Sequence, residues 1–264
     1  MQAHKNIMNQ KLSELLSQFE PISLEKMGKV KLMNRIDTKF VTNIQKLIEL
    51  LPMLKENYYV QSIDGCSMNG YHTRYFDTRD FSMYTCHHNG RKTRQKVRMR
   101  EYMDTSDFFL EIKRKNNKGR TKKKRISIPG FETYDRQEAA EFLAAKSWFK
   151  LDDLIPHLEN RFNRITLVNK AGTERLTIDT SLRFYNCVTD TSHSVDGLVI
   201  IELKQDGNYP SFVRPLLRDL RIFPTGFSKY CIGCAMTNPA LKRNRFKAKL
   251  RMVDKLLSGI TVEA

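Results

Sequence analysis

Residues 93–128 read TRQKVRMREYMDTSDFFLEIKRKNNKGRTKKKRISI and alternate cationic with apolar side chains in three successive stretches. Side chains of a strand point to opposite faces with a period of two. Arg98 and Arg100 therefore share one face, and Val97 and Met99 the other. Glu111 and Lys113 oppose Leu110 and Ile112, while Lys123 and Arg125 oppose Ile126 and Ile128. Asn116-Asn117-Lys118-Gly119 predicts a hairpin turn inside the block. A sheet of this kind has one apolar and one cationic face. It either shows the cations to water or curls so that they face inward, and the rest of the chain decides between the two.

From Arg91 to Arg125 there are 15 Lys and Arg against four acids, a local +11 out of a formal +17 for the chain. An excess of this size implies a polyanionic partner: nucleic acid, an anionic membrane surface, nucleotide or polyphosphate. The 264 residues suffice for one large all-β or α+β domain. No linker, internal repeat or low-complexity stretch divides them. A single domain is expected over 1–264, with its core at roughly 30–235 and a basic helical tail over 238–264. The cysteines at 66, 86, 187, 231 and 234 form no disulfide framework and fit a reducing compartment. MQAHKNIMNQ lacks the apolar centre of a signal peptide, and runs such as Leu198–Ile201 are far too short to span a bilayer. A soluble cytoplasmic protein is expected.

Along the chain, Leu12, Leu15, Leu16 and Phe19 have helical spacing over Lys11–Phe19, closed by Pro21. RIDTKFVT alternates from Arg35, and Asn43 caps a helix over Ile44–Leu54. Strands are predicted at Tyr58–Gln61, Tyr71–Asp77, Leu158–Val168, Glu174–Tyr185 and Gly197–Lys204. Arg79–His88 reads as a helical turn, and Tyr134–Lys146 and Pro210–Leu220 as helices, the last with proline in its first turn. Thr225–Cys234 enters another helix. Phe246, Leu250, Val253 and Leu257 give the tail an apolar stripe.

The polar faces of these strands carry Arg35, Asp37 and Lys39; Arg74; Arg98 and Arg100; Glu111 and Lys113; Lys123 and Arg125; Arg164; Arg175; Glu202 and Lys204. A closed antiparallel sheet would point them into one lumen, with the apolar faces outward beneath helices. Empty, such a lumen is costly, because unpaired buried charges destabilise. It makes sense with a multiply charged anion inside, since guanidinium groups hold phosphate oxygens bidentately and stay protonated.

RIDTKFV, YFDT, KVRMREY, FLEIKRK, RFNRITL, ERLTID, VIIELK and FSKYCIG, in this order from Arg35 to Gly233, resemble the VTC domain of polyphosphate polymerases, a branch of the CYTH-like triphosphate tunnel enzymes. The resemblance implies an α+β fold: a closed antiparallel β-tunnel of about eight strands with helices packed outside. It implies transfer of the γ-phosphate of ATP onto a growing polyphosphate chain, with a divalent metal, Mn²⁺ or Mg²⁺. Carried over by motif, Arg35 and Lys39 hold phosphate, Arg98 and Arg100 grip the triphosphate, and Lys113, Arg164 and Arg175 line the next strands. Glu202 is the implied metal ligand and Lys204 its neighbour. Ser228 and Lys229 match a Ser-Lys pair at the tunnel mouth. Arg120 or Arg125 matches a further arginine, and Arg74 joins the substrate-binding set. ATP and polyphosphate are the implied partners. The resemblance leaves room for a membrane protein that receives the product, and gives no specific nucleic-acid partner. Tunnel triphosphatases often carry two glutamates and a lysine on the first strand, spaced ExExK. Arg35, Asp37 and Lys39 stand here instead, which favours the polymerase over a triphosphatase, while the retained Glu202 favours it over a non-catalytic polyphosphate- or inositol-phosphate-binding module.

Plainer readings compete at several positions. Glu111 reads as a salt bridge to Lys113 and not as a metal ligand. Cys231 and Cys234 form a CxxC without a second pair at zinc spacing, so buried thiols are expected. His87-His88 reads as surface, and Ser228 has no His partner for a nucleophilic triad. No Walker A or GxGxxG loop is present, which excludes a P-loop. Lys122–Arg125 has too few aromatic neighbours for a nucleic-acid platform.

Overall fold

The computed structural model describes residues 2–28, 35–207 and 209–259, apart from the side chains of 2–6, 28 and 35. Helix α1 (Gln2–Leu16), strand β1 (Glu20–Ile22) and α2 (Leu24–Gly28) come first. They are followed by β2 (Arg35–Asn43), α3 (Ile44–Leu54), β3 (Tyr58–Gln61), β4 (Asn69–Thr78) and α4 (Ser82–His88). The basic block is β5 (Arg94–Tyr102), β6 (Asp107–Lys115) and β7 (Thr121–Ile128), then α5 (Arg136–Lys146). Next are β8 (Leu154–Asn169), β9 (Glu174–Asn186), β10 (Thr191–Val195) and β11 (Leu198–Asp206). Helices α6 (Val213–Asp219), α7 (Lys229–Thr237) and α8 (Lys247–Ser258) complete the chain.

Eleven strands form one sheet, with a main path β2-β11-β9-β8-β4-β5-β6-β7. Each neighbouring pair on this path is antiparallel. Off the path, β10 pairs with β9, and β3 joins β8 to the parallel strand β1.

The path has the eight strands expected, but the tunnel is not closed. Among the described residues no ladder joins β7 to β2. The outer edge of β2 is already occupied: the Thr225 N–H donates to the Lys39 carbonyl at 2.7 Å, and Phe40 bridges to Pro224. Pro224 has no N–H with which to extend that ladder. Pairing would also bring the Lys122–Arg125 run of β7 beside Lys39, and like charges across strands repel.

Period two sorts the core. Val199, Ile201, Leu203, Ile178, Leu176, Ile165 and Leu167 face outward and pack under α1, α3 and α6. Val97, Met99, Leu110 and Ile112 face outward under Ala139 and Leu143 of α5. The helices are not all outside, however. At one end of the inner face Val41, Leu198, Ile200, Leu158, Leu182 and Phe184 pack against α7 and α8. A bulge in β9 makes this possible. Arg175, Thr177 and Asp179 face inward, the register against β8 then shifts, and Ser181 adopts φ 52°. The extra residue switches parity, so Leu182 and Phe184 turn inward as well. Gly233 lets α7 settle there, since a Cβ on it would lie 2.5 Å from Phe184 and 2.6 Å from Leu158.

Several element limits differ from expectation, two of them at prolines. Pro210 lies outside α6, because Ser211 provides the turn: its hydroxyl accepts from the Arg214 N–H and donates to Glu174. α1 ends at Leu16, and Pro21 belongs to edge strand β1, where a missing N–H is tolerated.

Candidate functional site

Cross-strand register assembles the charges. Lys39 stands opposite Glu202 and Asp37 opposite Lys204 between β2 and β11. Lys204 faces Arg175 on β9, and Asp179 faces Arg164 on β8. On the other wing Arg98 lies between Tyr75 and Glu111, and Lys96 lies opposite Lys113. The two wings bound a cavity of about 970 Å³. Its walls include Asp37, Lys39, Lys96, Lys113, Glu202 and Ser228. Arg94, Lys115, Lys118, Arg120, Lys122 and, from α8, Lys249 also line it.

The FSKYCIG segment fixes α7 at this cavity. Ser228 is the N-cap, and its hydroxyl accepts from the Cys231 N–H at 3.2 Å and from Lys96 Nζ at 2.8 Å. Tyr230 donates to Asp77 at 2.5 Å. Asp77 also accepts from the N–H groups of Met83 and Tyr84, so the YFDT motif ties α4 and α7 together. Lys229, anchored between these contacts, donates to Asp179 and lies 4.2 Å above the Phe162 ring.

Three inward carboxylates are held ionised. Arg164 grips Asp179 through Nε at 2.6 Å and Nη2 at 2.9 Å. Burial acts to raise the Asp179 carboxyl, but Arg164 and Lys229 outweigh it and hold it well below the carboxylate range. Glu111 is 1% exposed, and Arg98 at 2.7 Å and Lys123 at 2.8 Å do the same for it. Glu202 differs. Its oxygens lie 3.7 Å from Lys39 and 4.0 Å from Lys204, beyond hydrogen-bond reach. Burial opposes its ionisation, yet Lys39, Lys204, Lys113 and Arg164 hold it at about 2. The cations show the converse. Enclosure, then Lys39, Arg98 and Lys96, press Lys113 down to about 8 against the pull of Glu202. Burial, with Arg164 and Lys39, does the same to Lys229, with Asp179 opposing.

Of the residues singled out in the sequence, Asp37, Lys39, Lys113, Arg120, Ser228 and Glu202 line the cavity directly. Arg98, Arg100, Arg164, Arg175, Lys204 and Lys229 surround it from the same face of the fold. Arg100 donates to Thr73 at 3.2 Å, and Arg175 to the Met27 carbonyl at 3.0 Å. Arg125 lies 4.0 Å over the Phe109 ring, across the strand from Glu111. The Arg35 side chain lies outside the described residues.

Arg74 is a correction: it points to the outer face, where Glu159 accepts at 2.7 Å and Glu132 at 2.5 Å. The aromatic residues Tyr71 and Tyr75 take the inward parity of β4 instead. Glu111 pairs with Arg98 and Lys123 and not with Lys113, which lies two residues along its own strand. His87 and His88 are not surface residues. His88 is 3% exposed beneath Phe246, and His87 Nδ1 lies 3.0 Å from Cys231 Sγ. Burial, and then Lys96, Arg94 and Lys249, depress His87 to about 3. Sequence reading overlooked Lys96 as a wall residue, although period two from Arg98 would have found it. Tyr75 and Asp179 carried no signal that placed them in the site. Lys249 had no local signal, because a separate helix brings it in.

No curated protein sequence matches the chain. Among solved structures it is similar to a candidate adenylate cyclase of Vibrio parahaemolyticus, at 10% identity over 76% of this chain and 99% of that one, TM-score 0.44. It is also similar to a Hippeastrum protein described as a candidate adenylyl cyclase with a dominant triphosphatase activity, at 15% identity over 78% and 97%, TM-score 0.48. A Pyrococcus horikoshii protein is similar at 12% identity over 76% and 98%, TM-score 0.42. The family model of the VTC domain matches residues 34–238. That span runs from the strand bearing Lys39 through the helix bearing Lys229, well over half of the sequence, and it makes this chain a member of the VTC-domain family.

Proposed function

We propose that the chain is an ATP-dependent polyphosphate polymerase that moves the γ-phosphate of ATP onto a polyphosphate chain inside the cationic cavity. The observation that carries the reading is the convergence of Lys39, Lys204, Lys113 and Arg164 around a single carboxylate, Glu202, that no cation binds closely. Phosphoryl transfer needs in-line positioning and neutralised oxygens more than covalent help from the protein. The guanidinium groups of Arg98 and Arg164 are rigidly held by Glu111 and Asp179, so their remaining N–H groups are pre-aimed. The acceptor is a phosphate oxygen, already anionic, so no strong general base is needed. Lys118, Arg120, Lys122 and Lys249 at the rim would guide the lengthening chain.

A divalent metal fits Glu202. Hard cations at nucleotide sites take one or two carboxylates and complete their shell with phosphate oxygens and water. Both Glu202 oxygens remain within the cavity without a close donor. Among the described residues no cluster of three metal-binding side chains exists, which suits a metal that arrives with the nucleotide. When bound, the ion would neutralise charge on the transferring phosphate.

Incubation with ATP and Mn²⁺ is expected to yield ADP and long polyphosphate. ADP with free phosphate alone would make the chain a triphosphatase, and no turnover together with tight polyphosphate binding would make it a binding module. Glu202→Gln should lower turnover about a hundredfold or more and remove its dependence on metal concentration, while polyphosphate binding persists. An unchanged metal titration would remove Glu202 from the mechanism. Among the described residues no helix is long and apolar enough to cross a membrane.

A further inference from the structure

On the inner face, the two cations that flank Arg98 have a neutralisation that the carboxylates do not explain. Glu111 serves Arg98 and Lys123, Asp179 serves Arg164 and Lys229, and Glu202 lies between Lys39 and Lys204. Lys96 and Arg100, among the described residues, have no carboxylate within ion-pair distance. Lys96 donates to the Ser228 hydroxyl, and Arg100 to Thr73. They flank Arg98 at two residues on either side, on the same face of β5.

Directly across from Arg98 stands Tyr75, 5% exposed. Diagonal neighbours on a sheet face lie within reach of long side chains, so its phenol is next to Lys96 and Arg100 as well. The Arg98 guanidinium itself lies 6.0 Å from the centre of the Tyr75 ring. From the other side α7 brings Lys229, with the Tyr230 ring tilted against Tyr75 at 5.3 Å between ring centres. Tyr230 itself is committed to Asp77, and Cys231 beside it is a buried thiol raised by that burial. On β8 the facing residue is Leu158, which carries no charge.

We infer that Tyr75 is an internal counter-anion of the tunnel, a phenolate when the cavity is free of polyanion that takes a proton from solvent when phosphate enters. Burial opposes ionisation of this phenol, but Arg98, Arg100, Lys96 and Lys229 outweigh it and bring the group to about 7. A polyanion placed among the same cations cancels their field. Only the burial effect then remains, and the phenol is protonated again. The phenol takes up one proton for each polyanion bound, so affinity falls as pH rises above about 7, by up to about tenfold per unit. The two lysines at about 8 give a second decline one unit higher.

The first part of this inference concerns the protein alone, and the second rests on the reading of the cavity as a polyphosphate site. Both are read by near-ultraviolet absorbance of the full chain. Without ligand, one of the ten tyrosines should ionise with a midpoint near 7, and Tyr75→Phe should abolish that band. Inorganic triphosphate added to the wild type at about pH 8 should erase it, with uptake of about two protons detectable in buffers of different ionisation heat, about one of them taken up by the two lysines and the other lost in Tyr75→Phe. Tyr75→Phe should flatten the decline in triphosphate affinity that begins near 7 and keep the later one. Absence of the band, or its survival in Tyr75→Phe, overturns the counter-anion. Its persistence in wild type saturated with triphosphate overturns the coupling. A band that is present in a protein to which triphosphate does not bind supports the counter-anion and defeats the polyphosphate reading.

Discussion

Arg98→Ala is expected to lower turnover with ATP by about a hundred- to thousandfold without lowering the melting temperature. The kinetic loss is that of a preorganised donor aimed at developing charge. The thermal result is less usual for a buried, ion-paired arginine and follows from the surroundings. Glu111 is not stranded by the change, because Lys123 donates to it at 2.8 Å and Arg100 remains beside it. What disappears is one of the cations that, after burial, help to press Lys113 down to about 8. Polyphosphate should accordingly raise the melting temperature of Arg98→Ala by less than that of the wild type, because one cation fewer meets it. A clear fall in melting temperature without ligand would mean that the Arg98-Glu111 pair is structural first, and the repulsion argument would fail. Unchanged turnover would remove Arg98 from the site.

That this arginine was visible in the sequence at all rests on period two. KVRMREY and FLEIKRK alternate cleanly, and a residue on the cationic face of such a strand has only one direction to go. The same rule went wrong on β4, where HTRYF offers a charge on one parity and an aromatic ring on the other. Charge points to Arg74, yet Tyr71 and Tyr75 take the inward parity, because Glu132 and Glu159 wait for Arg74 outside. Neither glutamate is near it in sequence, so no local pattern reveals the pairing. Closure of the sheet was out of reach for the same reason. It depends on whether Thr225 reaches Lys39 before β7 can, a contest between segments almost a hundred residues apart in the chain. The inward seat of α7 depends on one inserted residue in β9, which alternation alone reads as a continuous strand. Ser228 and Lys229, by contrast, were legible as a pair only through the family resemblance of FSKYCIG, and the fold gives Ser228 its physical role as the cap of α7.

Asp179→Asn should act in the opposite sense to Arg98→Ala. Asp179 is 4% exposed and neutralises both Arg164 and Lys229. Removing one partner of a buried ion group typically costs about 3–5 kcal/mol, because the others stay buried without compensation. Here two cations lose their carboxylate in a cavity already rich in positive charge, so the melting temperature should fall clearly. The depressed carboxyl also sets the pH dependence. Its contribution is complete above the unfolded value of about 4 and drains away as pH falls through the lower folded value. Asp179→Asn should therefore be less stable than wild type at neutral pH, with the gap closing in strong acid. Added polyphosphate supplies the missing negative charge, so its stabilising shift should exceed that seen in the wild type. The variant tests the cavity without relying on chemistry. If Asp179→Asn melts with the wild type, and polyphosphate shifts both equally, the inward cations do not act as one interacting set and the anion they are built to hold must be sought elsewhere on the molecule.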